Sequence, residues 1–304
     1  MKRFKTILLM CLSLLVLSAC VPGVTSQNHP IRIAGLSTTE GQILSALVQK
    51  LIEEETDYPV EMINNLGTSV VSQQAVRNGD ADITPARYTG TDMVAVLNET
   101  PIKDPNEALA YVQKAFKERF NYKYYDSYGF NNTYTFLVTP EFAAENDLKT
   151  VSDLEKISDT VRAGFDSQWL VREGDGYPGF KEEYGFAFDH TNAMQIGLVY
   201  NALAGGAMDL VLGYSSDGRI ASYDLVMLED DKQFFPPYDA APMATQEILD
   251  IYPELDGLLE RLEGKISTEQ MQELNYEADH LLKEPSVVAE EFLEANNYFR
   301  GEDN

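Results

Sequence analysis

The sequence predicts an α/β protein built as two similar lobes, and three observations carry that expectation. Short apolar runs suited to buried strands alternate with amphipathic stretches at helical spacing, a pattern that favours mostly parallel sheets over a sandwich or a bundle. Two segments also end alike: NGDADI at 78–83 runs on to YTGT at 88–91, and GAMDL at 206–210 runs on to YSSD at 214–217. Each reads as helix, glycine turn, short strand and a loop presenting one tyrosine. Ligands of open α/β sheets sit beyond the carboxyl ends of strands, so the two units predict one shared cleft. Finally, asparagines and prolines break the regular pattern around 130–133 and 236–242, which suits two crossings between lobes and hence a hinge.

The N-terminus reads as a processed leader. Lys2, Arg3 and Lys5 precede an uncharged apolar run at 7–17, sized for a secretory signal rather than a membrane span. LSAC at 17–20 resembles the lipobox of bacterial lipoproteins, which implies cleavage after residue 19, lipid on Cys20 and a membrane-anchored, extracytoplasmic protein. Residues 20–30, polar and containing glycine and serine, read as the tether. Cys11 falls in the leader, so the folded part has no thiol for a disulfide and depends on its hydrophobic core.

In the mature chain, residues 31–34 form the first strand. Thr38 or Thr39 caps a helix whose Ile43, Leu44, Leu47, Val48 and Leu51 share one face. Strands at 60–63 and 81–84 flank a helix at 70–77, and another helical stretch runs over 101–120 after Asp104-Pro105. The second cycle has strands at 135–138, 161–165 and 210–212, a helix start at 152–154 and a helix at 194–203 closed by Gly205-Gly206. Four helices follow, at 247–252, 255–262, 268–282 and 286–295. The expected lobes are 31–131 with 241–304, and 132–240.

Charge and motifs narrow the function. A formal net charge of −26, with no basic run outside the leader, disfavours nucleic acid as a partner. Three histidines, His29, His190 and His280, stand apart among polar neighbours, so no metal centre and no cofactor is expected. Walker, dinucleotide and EF-hand patterns are missing, and GYSSDG at 213–218 has the wrong spacing for a nucleophile elbow, so an enzyme is not expected. Tyrosine is abundant, seventeen against the single Trp169. Tyr88 and Tyr214 follow the paired strands, while Tyr134 and Tyr238 stand at the two crossings, so all four are placed to line one cleft. Converging electron-rich ring faces suit a quaternary ammonium group, which has no N–H donor for a carboxylate to bind.

The motifs RYTGTD (87–92), YDSYGFNNTY (125–134), MQIGLVY (194–200), YSSDGRI (214–220), FFPPYDA (234–240) and MQELNYEAD (271–279) resemble those of substrate-binding lipoproteins of osmoprotectant ABC importers, the glycine betaine/carnitine/choline-binding family. The resemblance covers essentially the whole mature chain. It implies a type II periplasmic-binding-protein fold, two α/β lobes joined by two crossover segments, that delivers a compatible solute to a membrane permease. It also implies that Tyr88, Tyr134, Tyr214 and Tyr238 form the box for the trimethylammonium head, with Thr91 and Asn132 toward the polar end of the ligand. Leu36 departs from the polar residue that relatives often carry there, which leaves open how a carboxylate is held. Two other readings compete: a clamp for a polyamine or an amino acid, which would recruit a carboxylate into the site, and a surface hydrolase or adhesin.

Overall fold

The computed structural model describes residues 29–172 and 174–301. The expected leader, Cys20 and the tether up to residue 28 lie outside the described residues. The first cycle runs β1 (Ile31–Leu36), α1 (Thr39–Glu55), β2 (Val60–Leu66), α2 (Ser69–Arg77), β3 (Ile83–Tyr88), α3 (Pro105–Phe120) and β4 (Tyr122–Tyr124). Thr38 caps α1 as expected, its hydroxyl accepting from the Gly41 amide. The apolar stripe of α1, including Ile43, Leu44, Leu47, Val48 and Leu51, is fully buried against the sheet and the C-terminal helices. Asp104 caps α3, with Pro105 at its start, and Asn121 ends it in the left-handed conformation.

The chain then crosses to β5 (Tyr134–Val138), α4 (Pro140–Glu145), β6 (Arg162–Asp166), α5 (Tyr177–Tyr184), β7 (His190–Met194), α6 (Val199–Ala204), β8 (Leu210–Tyr214), α7 (Gly218–Ser222) and β9 (Val226–Met227). It crosses back to β10 (Ala240–Thr245), followed by α8 (Gln246–Ile251), α9 (Glu254–Glu260), α10 (Thr268–Asp279) and α11 (Pro285–Ala295). Two five-stranded sheets result, ordered β2-β1-β3-β10-β4 and β7-β6-β8-β5-β9. Each sheet has its own core. The core of the second is largely aromatic, with Phe136, Phe165, Trp169, Phe180 and Phe188 in mutual ring contact.

The sheets are mixed rather than mostly parallel. In each, parallel pairings (β1 with β2 and β3; β6 with β7 and β8) give way to antiparallel ones (β10 with β3 and β4; β5 with β8 and β9). The reason is the crossings: β5 and β10 each arrive from the other lobe and enter beside the tyrosine-bearing strand. Several elements also shift. The third strand begins at Ile83 and runs to Tyr88, so Tyr88 and Tyr214 end their strands instead of lying in the following loops. The expected helix at 194–203 is an exposed edge strand, a 3₁₀ turn at Ile196–Leu198 and a short α6. The helix start at 152 is a 3₁₀ segment, Val151–Ile157, with a capping box between Thr150 and Asp153. Among the described residues, no helix is long and apolar enough to cross a membrane.

Candidate functional site

The two crossings run side by side as an antiparallel ribbon. Asn131 bridges Asp239, the Asn132 amide donates to the Tyr238 carbonyl at 3.2 Å, and the Tyr238 amide donates to Asn131 Oδ1 at 2.8 Å. Tyr134 and Tyr238 are thereby fixed at neighbouring points of the ribbon. In the second sheet Tyr134 is the direct register partner of Tyr214, and their rings tilt at 35° with centroids 5.2 Å apart. The Tyr214 amide donates to the Tyr200 hydroxyl at 2.7 Å, and Gly213 leaves the room that ring needs, since a Cβ there would come within 2.8 Å of it.

The first lobe places its tyrosine by a similar turn. Strand β3 ends in Tyr88, and the chain folds at once into Thr89–Thr91. Thr89 clamps this turn to the second crossing, its hydroxyl donating to the Pro237 carbonyl at 3.1 Å and its amide to that of Asp239 at 3.2 Å. Gly90 permits the contact, because a Cβ at that position would lie 2.7 Å from the Pro237 oxygen and 3.0 Å from the Tyr238 ring. Beneath the turn, Arg87 and Asp92 form a fully buried ion pair.

All six cleft residues expected from the sequence, Tyr88, Thr91, Asn132, Tyr134, Tyr214 and Tyr238, line a single cavity of about 580 Å³. That volume suits a small organic solute. Burial, with help from acidic neighbours, raises the hydroxyls of Tyr88 and Tyr214 above the ordinary phenol range and pushes Tyr238 up to about 12, so these rings stay neutral near pH 7. Leu36 also lines the cavity.

Three further residues of the cavity wall were not among the expected site residues, although Asn275 lies within MQELNYEAD. Glu40, in the first turn of α1, is only 5% exposed and accepts from the Tyr88 hydroxyl at 2.6 Å, Asn132 Nδ2 at 2.9 Å and Asn275 Nδ2 at 3.2 Å. Asn275, on α10, also donates to the Ser216 carbonyl at 2.9 Å, just beyond Tyr214. Arg172 is half-exposed and paired with Asp175 at 2.6 Å, its guanidinium 6.0 Å from the centre of the Tyr134 ring. A helix-opening acid and an asparagine 235 residues away offered no local signal; topology alone joins them. Among the described residues, no group of His, Cys, Asp and Glu is arranged to hold a metal ion.

Two α/β lobes, two crossings and a solute-sized cavity lined by the strand-end tyrosines define a solute-binding receptor. The chain belongs to the family of substrate-binding domains of ABC-type glycine betaine transport systems, whose model matches residues 29–295. It is 52% identical over 297 residues to the carnitine transport binding protein OpuCC of Listeria monocytogenes, covering 97% of this chain and 96% of that one. It is 30% identical to a glycine-betaine-binding protein of Pseudomonas aeruginosa, covering 88% of each. A crystal structure described as a glycine betaine/carnitine/choline ABC transporter superposes with a TM-score of 0.86 at 53% identity, covering 89% of this chain and all of that one. The protein is thus a substrate-binding protein of an ABC importer, with a small solute as cargo, a permease as partner and its place of action outside the cytoplasm.

Proposed function

We propose that the cavity captures the quaternary ammonium head of a compatible solute such as glycine betaine, carnitine or choline. Tyr88, Tyr134, Tyr214 and Tyr238 act as its box, and Thr91 and Asn132 face the polar end. In this reading the lobes are 31–131 with 241–304, and 132–240, and a lipid on Cys20 holds the receptor at the membrane. The observation that carries the reading is the convergence of four tyrosines, one ending a strand in each lobe and two at the crossings, on one cavity.

A quaternary ammonium buries its charge under methyl groups, so its attraction to the site is to ring faces, each worth about 0.5–2 kcal/mol. A polyamine or amino acid would instead need a free carboxylate. The buried carboxylate of the cavity, Glu40, already accepts from three protein donors, which favours the quaternary head. A guanidinium, Arg172, also lines the wall, where the carboxylate of a zwitterionic solute can meet it.

Calorimetric titration of the mature protein with glycine betaine, carnitine, choline and spermidine tests the reading. Trp169 supplies a second signal, since its indole N–H donates to the Asp175 carbonyl and the Asp175 carboxylate accepts from Tyr238 at 3.3 Å. Tyr214→Ala or Tyr238→Ala is expected to weaken binding at least about tenfold while the fold survives, because more than one ring contact is disturbed. Spermidine in place of the quaternary solutes, or undiminished affinity in a folded variant, would sink the box.

A further inference from the structure

We propose that Glu40 is the charge-selecting residue of this site, acting through the hydroxyl of Tyr88 to favour solutes with a net positive charge over zwitterions. The inference rests on the quaternary ammonium reading above and adds a residue that does not itself touch the ligand.

A carboxylate 5% exposed normally has a cationic partner, because desolvating a lone charge is costly. The hydrogen-bond donors to Glu40 are all neutral: a phenol and two amides. It stands at the second position of α1, where the helix N-terminus favours an anion without cancelling its charge. The other acids of the wall differ: Asp217 is paired with Arg219, and Asp279 is exposed at the end of α10; Asp175, behind Tyr238, is paired with Arg172. Glu40 therefore leaves a buried, uncompensated negative charge behind one wall of the box.

That charge reaches the ligand by two routes. A phenol donating at 2.6 Å to a carboxylate is polarised, so the Tyr88 ring carries more negative charge on its face and attracts a cation more strongly. The same bond fixes the rotation of the ring. Directly, the field of that charge, screened by solvent in the open cleft, adds less than about threefold. A zwitterion gains less, because its own carboxylate is repelled. Asn132 on the first crossing and Asn275, which bonds Ser216 across the cleft, hold Glu40 in place.

The test is a double-mutant cycle of Glu40→Gln and Tyr88→Phe, titrated with tetramethylammonium, choline and glycine betaine. Glu40→Gln is expected to lower affinity for the two net cations about tenfold and for glycine betaine by less than about threefold. In the Tyr88→Phe background the same change is expected to cost the cations less than about threefold, since the hydroxyl that transmits the charge is gone. An equal loss for cations and zwitterion would reduce Glu40 to a structural role, and additive losses would remove the route through Tyr88; either overturns the proposal. Should Glu40→Gln not fold, Tyr88→Phe decides alone: it keeps the ring, so unchanged tetramethylammonium affinity refutes the inference. A wild-type protein that binds none of these solutes would remove the proposed function itself, whereas normal wild-type binding with an unshifted cation preference removes only the role of Glu40.

Discussion

The Arg87–Asp92 pair offers the sharpest test of how the site is supported. Both side chains are fully buried, and they meet as a fork, Arg87 Nε donating to Asp92 Oδ2 at 3.0 Å while Nη2 meets Oδ1. Arg87 Nη1 reaches the Ser69 carbonyl and the Ser72 hydroxyl, both at 3.4 Å, and the guanidinium lies 5.3 Å from the centre of the Phe116 ring. The pair spans the turn that carries Tyr88 and Thr91, so it closes that turn from below. Asp92→Ala strands a guanidinium that cannot shed its proton, and the expected loss is about 3–5 kcal/mol of unfolding free energy. Spread over a domain of this size, that is a fall of about 10 °C in Tm. The double variant Arg87→Met, Asp92→Leu removes both charges and fills the space with apolar atoms, so it is expected to recover most of the loss or to exceed wild type. Urea unfolding followed by circular dichroism reads both. A single variant costing under about 1 kcal/mol, or a double variant as unstable as the two single losses combined, would refute the picture of a desolvated pair whose halves are harmful only when alone.

Two further outcomes are expected. Asp239, on the second crossing, has one carboxylate oxygen buried without a partner, and desolvation pushes its pKa up to about 6. A carboxyl raised above its unfolded value near 4 contributes stability that is complete below that value and is lost as the pH rises through about 6. Asp239→Asn should therefore stabilise the protein by about 1–2 kcal/mol at pH 8, allowing for partial solvent access, and by almost nothing at pH 4; equal thermal shifts at both values would contradict this. Gly90→Ala should cost about 1–3 kcal/mol of stability and weaken solute binding, because the new methyl displaces the Pro237 carbonyl or the Tyr238 ring; wild-type affinity in a titration of that variant would show that the close approach does not matter.

How much of this was legible follows from the range of the interactions involved. The start of α1, its buried stripe and the cap at Thr38 are local, and sequence pattern found them. The four tyrosines were legible because an aromatic at a strand end or beside a chain break stands out against its neighbours. The mixed sheets were not legible, since β10 is the alanine-rich AAPMAT with a proline inside it and becomes a buried strand only between β3 and β4. Strand β7 escaped for the opposite reason: an exposed edge strand needs no apolar alternation. Glu40 looked like any acid in the first turn of a helix, and its partners Tyr88, Asn132 and Asn275 lie 48, 92 and 235 residues away.

The arrangement of the sheets explains why the proposed box needs both crossings. Each lobe ends one parallel strand in a tyrosine, Tyr88 on β3 and Tyr214 on β8. Beside that strand each lobe receives an antiparallel strand from the other, β10 preceded by Tyr238 and β5 opened by Tyr134. An antiparallel neighbour begins where its partner ends, so the arriving tyrosine is brought to the carboxyl end of the strand, where the first tyrosine already stands. The same topological step, made twice, puts two rings at the mouth of each sheet. The two arriving segments are themselves paired through Asn131, Asn132, Tyr238 and Asp239, so Tyr238 lies on the ribbon that joins the lobes and Tyr134 opens the strand at its end. Rotation about that ribbon would carry Tyr134 along with its register partner Tyr214 and move both relative to Tyr88. Two rings of the proposed box then travel with the second sheet, and the box is completed when the strand ends approach.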